Sequence, residues 1–556
     1  MPFNQPAPGL TNQYVDDRVL RSYLRRALPA EVLQQIEPQL TEMGELAGGP
    51  LYGFQRADRL SEPVHTPWDA WGNRIDQVEV SALWRTAEQL AARHGLIAIP
   101  YERALGAWSR VHQFALVYLF TPSTDVYSCP LAMTDGAART LSVAGNADLR
   151  TRALPHLTSR DPREFWTSGQ WMTESTGGSD VGLSETVARQ DDQGRWRLYG
   201  RKWFTSAVTS RMSLTLARPE GNPAGGKGLA LFYLETRGED GHLNNILVHR
   251  LKDKLGTRKV PTAELTLDGT IAVPVLGLRE GIRNIAPMLN VTRTWNSVSA
   301  VSYMRRGIAL ARDYALKRIA FGAPLAEKPL HLDTLAGMQA EFEAAFHLTF
   351  LLVEMIGRDE AGELSAEEKD LLRLLTPIVK LTTAKQCVSA VSEALECFGG
   401  AGYVEDTGLP MLLRDCQVFS IWEGTTNVLS LDALRAVSGV SALDALGRRV
   451  AALTSTVTDA RLLEPARQAE QAILEAVRWL EATSKHGTEG VEAGARRFAL
   501  TLGRALGLAL LVHHAQWGLN AESDERSLAA VLRFASHGVK SIGDSDLGLS
   551  RSLALG

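Results

Sequence analysis

Arg195-Trp-Arg-Leu-Tyr-Gly-Arg-Lys-Trp-Phe204 alternates bulky apolar and polar residues, the period of a half-buried strand. Gly228–Glu235 has the same character, and so does Ala263-Glu-Leu-Thr-Leu-Asp268, which runs into a Gly turn. Gly194, Gly200, Pro219, Gly221, Pro223, Gly225 and Gly226 punctuate this region at short spacing. A compact β-domain is expected over 167–283.

On both sides of it the period turns helical. Upstream, a Pro/Asn/Gln-rich arm leads into helical patterns over Asp17–Ala27 and Ala30–Met43, broken at Gly48-Gly49-Pro50. From Val78 to about Leu154 apolar residues recur at helical spacing (Leu83, Ala87, Leu90, Ala91; then Phe114, Leu116, Val117, Phe120), read as helical core. Downstream, Val298, Val301, Ile308, Ala311 and Ala315 share one face of a long helix that stops near Phe321-Gly-Ala-Pro324. Helices fit 330–357 and 366–398, a Gly-rich loop follows at Gly399-Gly-Ala-Gly402, and another helix begins near Ser430. Residues 441–556 are Ala/Leu-rich and read as a separate helical bundle. Segregated helices, strands and helices make an α+β fold. Four segments are expected: an N-terminal arm and helical domain (1–166), the β-domain (167–283), a helical bundle (284–440) and an extra helical domain (441–556).

The chain has 556 residues, 45% of them apolar and 22% charged, with a net charge of −4. That is globular composition with no global pull toward nucleic acid or an anionic membrane. Cys129, Cys387, Cys397 and Cys416 form no CxxC pair and no zinc-spaced cluster, so a reducing compartment is expected and no metal site. The start, Met1-Pro-Phe-Asn-Gln-Pro, lacks a secretory pattern. Apolar stretches such as Phe114–Phe120 and Leu506–Val512 read as too short for a bilayer. A cytoplasmic protein without membrane association is expected. Gly-x-Gly-x-x-Gly after a strand and Gly-x-x-x-x-Gly-Lys-Ser/Thr are both missing, which disfavours a nicotinamide cofactor or a P-loop nucleotide.

Four stretches have the residue types for chemistry. Gln170-Trp-Met-Thr-Glu-Ser-Thr-Gly-Gly-Ser-Asp-Val181 combines hydroxyls, adjacent glycines and backbone amides, suited to close contact with a ligand or to an ordinary turn. In Lys202-Trp-Phe-Thr-Ser206 an aromatic and a hydroxyl two apart fall on one side of a strand, as a planar heterocycle would want, or as a sheet core would. Arg318, in Lys317-Arg-Ile-Ala-Phe-Gly322, can pair with phosphate or complement a helix dipole. Glu423, in Val418-Phe-Ser-Ile-Trp-Glu-Gly-Thr-Thr-Asn-Val428, is a single carboxylate in apolar or small company. There it is either a base of raised pKa or a helix cap.

In this order and spacing the four stretches resemble the acyl-CoA dehydrogenase flavoprotein family over roughly 80–440. Met172-Thr-Glu…Gly178-Ser-Asp resembles its first flavin signature, and Lys202-Trp-Phe-Thr its flavin-stacking strand. Arg318-x-x-Phe-Gly resembles its inter-subunit pyrophosphate contact. Gly399-Gly-x-Gly followed by Ile421-Trp-Glu-Gly-Thr-Thr-Asn resembles the segment ending in its catalytic base. The Phe3-Asn-Gln-Pro arm and the two helical ends resemble its AidB-like branch, associated with the response to DNA alkylation.

The resemblance implies FAD and an acyl-CoA substrate. Glu423 would take the α-proton while the β-hydride passes to flavin N5, and the Glu423 N–H, with a ribityl hydroxyl, would polarise the thioester carbonyl. Met172, Thr173, Ser179, Trp203 and Thr205 would hold the flavin, with Thr205 near N5. Arg318, Phe321, Glu396 and Gly400 would reach the FAD of a neighbouring subunit, and Thr425 and Asn427 its adenosine end. Arg293 would line the site near the base. Some relatives carry the base one place before this Arg, but here that is Thr292. A homotetramer (a dimer of dimers) and an electron-transfer flavoprotein as acceptor are implied as well. Three departures bear on substrate range: Ser175-Thr176 in place of Pro-Gly, Glu396 in place of Gln, and Trp422 in place of Tyr.

Two other readings stand beside this one: a flavoprotein that binds duplex DNA through 441–556, and a protein that sequesters acyl-CoA without turnover. The DNA reading is disfavoured because 441–556 carries 13 Lys/Arg against 13 Asp/Glu.

Overall fold

The computed structural model describes residues 6–238, 241–437, 441–543 and 546–556; Phe3, Asn4 and Gln5 of the arm lie outside the described residues. The chain divides into two compact units. The first comprises Met1–Gly49, Leu105–Leu119 and Asn296–Gly556, and the second Pro50–Ala104 and Phe120–Trp295. Chain order and contact therefore part company: the segment 1–166 contributes to both units.

The second unit contains the β-domain. It opens with a hairpin, β1 (Val64–Trp68) against β2 (Arg74–Glu79), in a stretch to which the sequence pattern assigns no element. Seven further strands follow: β3 (Ser168–Trp171), β4 (Val187–Gln190), β5 (Trp196–Thr205), β6 (Met212–Pro219), β7 (Ala230–Glu235), β8 (Ile246–Leu251) and β9 (Ala263–Pro274). Their order is β3-β6-β4-β5-β9-β7, with β8 on β9, and an additional β6–β7 pairing closes the path into a ring. The β3–β6 and β4–β6 pairs are parallel and the others antiparallel. Its interior holds Trp171, Leu198, Ala217, Phe232, Leu234, Val248, Leu265 and Leu267.

β5 and β7 lie at their expected places, but β7 is buried throughout Ala230–Leu234 rather than half-buried. β6 alternates in sequence, Met212-Ser-Leu-Thr-Leu-Ala217, yet is buried on both faces: the Ser213 and Thr215 hydroxyls donate to the carbonyls of Leu214 and Trp171 instead of meeting water. β9 does not turn at Gly269. It continues to Pro274, and a β-bulge beside Leu198 and Tyr199 absorbs the irregularity.

The first unit is helical. Its long members are Ala286–Lys317, which begins in the other unit, then Pro329–Glu360 and Ala366–Glu396. The last starts on a capping box, with Ser365 and Glu368 each satisfying the other's backbone N–H. Thr426–Ala436 completes the bundle, beginning four residues earlier than its apolar pattern indicates because Thr425 caps it. Helix Ala286–Lys317 ends in a small hairpin, Ile319–Ala320 against Ala323–Pro324. Phe321 and Gly322 form its tip with φ of 50° and 80°, the two positive values that a type I′ turn requires.

Residues 441–543 form the expected extra helical segment, but they do not pack apart from the bundle. Leu351, Leu352, Leu375, Ile378 and Leu429 lie in one core with Leu446, Ile473, Phe498, Leu502, Leu506, Leu511 and Phe534. Helix Thr488–Ala521 is long and apolar enough to cross a bilayer by length and composition, but 83% of its most apolar window is buried within the protein, as in a core helix. The N-terminal helix Arg18–Ala27 belongs to this unit too. Asp17 caps it, accepting from Leu20 N, and also accepts from Tyr118 Oη at 2.6 Å and Arg305 Nε at 3.1 Å.

Candidate functional site

The candidate residues fall into two sets, one in each unit. In the second unit, the chain leaves β3 at Met172 and Thr173, both half-buried, and turns through exposed Ser175–Asp180. Thr173 O accepts from Trp203 N at 3.0 Å, which ties this loop to β5. Gly178 lies close over Thr173: a Cβ there would come within 2.7 Å of Thr173 Oγ1. Ser179 is exposed at the loop's end, beside Asp180, which caps the short turn that follows.

Beneath the loop is an ion pair that sequence reasoning quoted but assigned no role. Lys202, fully buried, donates from Nζ to Glu174 Oε1 at 2.7 Å and to Leu216 O at 2.9 Å. Glu174 also accepts from the Ser184 hydroxyl, from Thr186 Oγ1 at 2.6 Å and from Glu185 N at 2.6 Å. Burial alone would raise the Glu174 pKa; the Lys202 ammonium and these donors outweigh it and hold the carboxyl below its ordinary value.

The geometry at Trp203 and Thr205 departs from simple alternation. A β-bulge between Lys202 and Thr205 breaks the register. Trp203 is half-buried, with Lys252 Nζ 3.7 Å from its ring centroid, whereas Thr205 points inward and donates from Oγ1 to Ala263 O at 2.6 Å. The expected shared face of these two side chains is thereby corrected. Arg293 is half-buried in helix Ala286–Lys317, in this unit.

The first unit carries Glu423. It is half-buried rather than enclosed, and its neighbour Ile421 is exposed, so the stretch is less apolar in space than in sequence. Its backbone is left-handed, φ 57°, and Gly424 follows at φ 102°. A non-Gly residue pays about 1 kcal/mol or more for that conformation. Four hydrogen bonds hold the turn. Trp422 Nε1 donates to Asn296 Oδ1, Asn296 Nδ2 donates to Phe419 O at 3.1 Å, and Lys380 Nζ donates to both Trp422 O and Gly424 O at 2.7 Å. Sequence reasoning missed Asn296 and Lys380. The signal for Lys380 was available: it is a lone cation in the otherwise apolar run Pro377-Ile-Val-Lys-Leu381.

Thr425 and Asn427, both exposed, begin the next helix. Glu396 is exposed at the end of its helix and Gly400 on the loop that follows. The Gly-rich loop folds back tightly, and at Gly402 a Cβ would meet Leu395 O at 2.0 Å. Arg318 is half-buried at the start of the small hairpin, and Phe321 at its tip is 98% exposed.

Comparison with known proteins places these features. Residues 169–270 match the acyl-CoA dehydrogenase middle domain and 279–438 its C-terminal domain. Residues 4–162 match the N-terminal domain of adaptive response protein AidB, and 441–543 an acyl-CoA dehydrogenase 11 C-terminal domain-like family. Fold and matches together define an acyl-CoA dehydrogenase, an oxidoreductase of α+β architecture. Acyl-CoA dehydrogenase family member 11 of Caenorhabditis elegans is 45% identical over 528 residues, 92% of this chain and 86% of that protein. The putative acyl-CoA dehydrogenase AidB of Escherichia coli is 32% identical over 451 residues, 78% and 80% of the two. The chain belongs to the acyl-CoA dehydrogenase family, whose cofactor is FAD. The solved structure of Caenorhabditis elegans ACDH-11 in complex with C11-CoA superposes with a TM-score of 0.94 at 42% identity, covering 99% of this chain and 95% of that one.

The residues present fit a flavin. The loop after β3 offers hydroxyls and backbone amides at an exposed rim, with Gly178 keeping it low over Thr173. Trp203 supplies a half-buried aromatic ring beside it.

Proposed function

We propose that this protein removes a proton and a hydride from adjacent carbons of an acyl-CoA thioester, giving a trans-2-enoyl-CoA. The observation that carries the reading is the left-handed turn at Glu423: a carboxylate on strained, firmly held backbone.

In this reading the Glu423 carboxylate takes the α-proton. The Glu423 N–H donates to the thioester oxygen, where negative charge grows as the C–H bond breaks. When bound, FAD would supply the two-electron acceptor for the β-hydride. Met172, Thr173, Ser179 and Trp203 orient the flavin, and Thr205, engaged with Ala263 O, supports that strand from inside. Arg293 lines the substrate site. Arg318, Phe321, Glu396 and Gly400 serve the FAD of a neighbouring subunit, with Thr425 and Asn427 at its adenosine end. The bare ring of Phe321 supports such an assembly, since an exposed phenyl group at a hairpin tip gains by being covered. A homotetramer working in the cytoplasm, with an electron-transfer flavoprotein as acceptor, completes the proposal. A medium-length acyl chain is the first candidate substrate, because the similar Caenorhabditis elegans protein was solved with C11-CoA.

Duplex DNA binding through 441–556 finds no support in the charges. Arg448, Arg461, Arg467, Arg504, Arg526, Arg533 and Lys540 are each ion-paired with a carboxylate of the same chain.

The test is anaerobic titration of the FAD-loaded protein with acyl-CoAs of graded chain length. Bleaching of the flavin is expected, and Glu423→Gln is expected to retain FAD while losing bleaching. No bleaching at any chain length, or full bleaching in the Gln variant, would sink the reading.

A further inference from the structure

Lys380 lies in the middle of helix Ala366–Glu396 and is fully buried. Its chain neighbours Ile378, Val379 and Leu381 are core residues. An ammonium in such company is retained only with compensating partners, because leaving water costs several kcal/mol. Two of its partners are the carbonyls of Trp422 and Gly424, each 2.7 Å from Nζ. These carbonyls bracket Glu423. The first belongs to the peptide unit whose N–H is that of Glu423 itself.

This placement has two consequences. Fixing both flanking carbonyls with one cation fixes the backbone at Glu423 and Gly424, where φ is 57° and 102° and the turn would otherwise relax. And a cation on a peptide oxygen draws electron density along the amide, so the N–H at its other end becomes a stronger donor. The Asn296 contact to Trp422 Nε1 holds the same residue by its side chain and leaves the backbone carbonyls to Lys380.

We propose that Lys380 is a positioning residue for proton abstraction. It holds the Glu423 carboxylate in its working orientation and strengthens the Glu423 N–H as a donor to the thioester oxygen. This rests on Glu423 being the base. No atom of Lys380 takes part in bond making. The α-proton goes to the Glu423 carboxylate, and the electron pair left on the α-carbon delocalises onto the thioester oxygen that the N–H faces.

The experiment measures exchange of the α-protons of 3-thiaundecanoyl-CoA into D2O by mass spectrometry, using the FAD-loaded protein. This readout needs no oxidation. Dissociation constant, flavin content and melting temperature are measured alongside. Lys380→Met is expected to keep flavin and bind the analogue within a few-fold, yet to exchange about 100-fold more slowly per folded, flavin-loaded site, the scale of misplacing a catalytic group or losing an oxyanion donor. Lys380→Gln, which can donate to one carbonyl, is expected to fall between; it replaces the Met variant if that does not fold. A lowered melting temperature with exchange at the wild-type rate in the folded fraction means the lysine is only a structural pin and overturns the proposal. Glu423→Gln separates the two ideas. If it exchanges at the wild-type rate, Glu423 is not the base and both readings fall. If it is silent while both Lys380 variants exchange normally, only the Lys380 proposal falls.

Discussion

Glu174 and Lys202 form a buried pair that anchors the loop carrying Thr173 and Ser179. Such a pair is worth little against an apolar replacement of both partners, but breaking it strands a charge in the interior. Glu174→Gln is therefore expected to cost about 3–5 kcal/mol in denaturant unfolding. The double variant Glu174→Leu with Lys202→Met is expected to be less damaged than the single one; additive losses would argue against the ion-pair account. The pair also writes a pH signature. Because the folded Glu174 pKa lies below its ordinary 4.5, its contribution is complete above that value and is lost as pH falls through the depressed one. At this scale the sequence showed which residue types matter and concealed what they do. Glu423 stood out as a carboxylate in apolar company, yet what the structure adds is its left-handed backbone, which neighbouring residue types do not encode. Thr205 was two places from Trp203, and a bulge turned it inward.

Between residue and molecule, the long helices were legible from the length of their apolar runs and the Gly, Pro and capping residues that bound them, although 342–353 and 374–384 are buried all round. Pro329–Glu360 and Ala366–Glu396 fall within a few residues of their apolar patterns. β6 and the β1–β2 hairpin, strands of 5 to 8 residues, offer no comparably long run. A second element-scale feature was not legible at all, because it joins distant segments. Helices Arg18–Ala27, Pro329–Glu360 and Thr488–Ala521 bring together Ser22, Arg26, His347, His513 and His514. Ser22 Oγ lies 3.1 Å from His514 Nε2, Arg26 Nε donates to His514 Nδ1 at 3.0 Å, and the His347 and His514 rings are 4.3 Å apart. Burial first, then the nearby Arg26, pushes His513 down to about 4 and His514 far below its ordinary value; His347 is depressed by burial and by His514. The sign follows. Between pH 6.5 and these lowered values the unfolded chain binds protons that the folded chain refuses, so stability falls as pH falls. The slope is about 1.4 kcal/mol per pH unit for each such histidine. Denaturant midpoints are expected to drop steadily from pH 7 to 5. His347→Phe, which keeps an aromatic ring beside Tyr23 and Phe346, is expected to flatten that slope. An unchanged slope in the variant would remove His347 from the account.

At the scale of the molecule, the chain order of helices, strands and helices gave the α+β class, because texture changes are local. Which segments share a core is not local. Residues 441–556 looked self-sufficient, since an Ala/Leu-rich stretch shows its apolar faces without showing what covers them. In the structure they are covered in part by the bundle. Phe498, Leu502, Leu506 and Leu511 pack in the same core as Leu351, Leu375 and Ile378. Fully burying one such side chain contributes about 1.5–3 kcal/mol, and a whole protein is stable by only about 5–15 kcal/mol. Uncovering Leu351, Leu375 and Ile378 alone would remove about 5–9 kcal/mol, comparable with that total. A chain ending at Val437 is therefore expected to lose cooperative unfolding and near-UV dichroism, to bind hydrophobic dyes, and to release FAD although every proposed flavin residue is still present. A chain that ends at Val437, holds FAD and melts in one sharp transition would show instead that the bundle closes its own core and that the C-terminal helices are an addition to it.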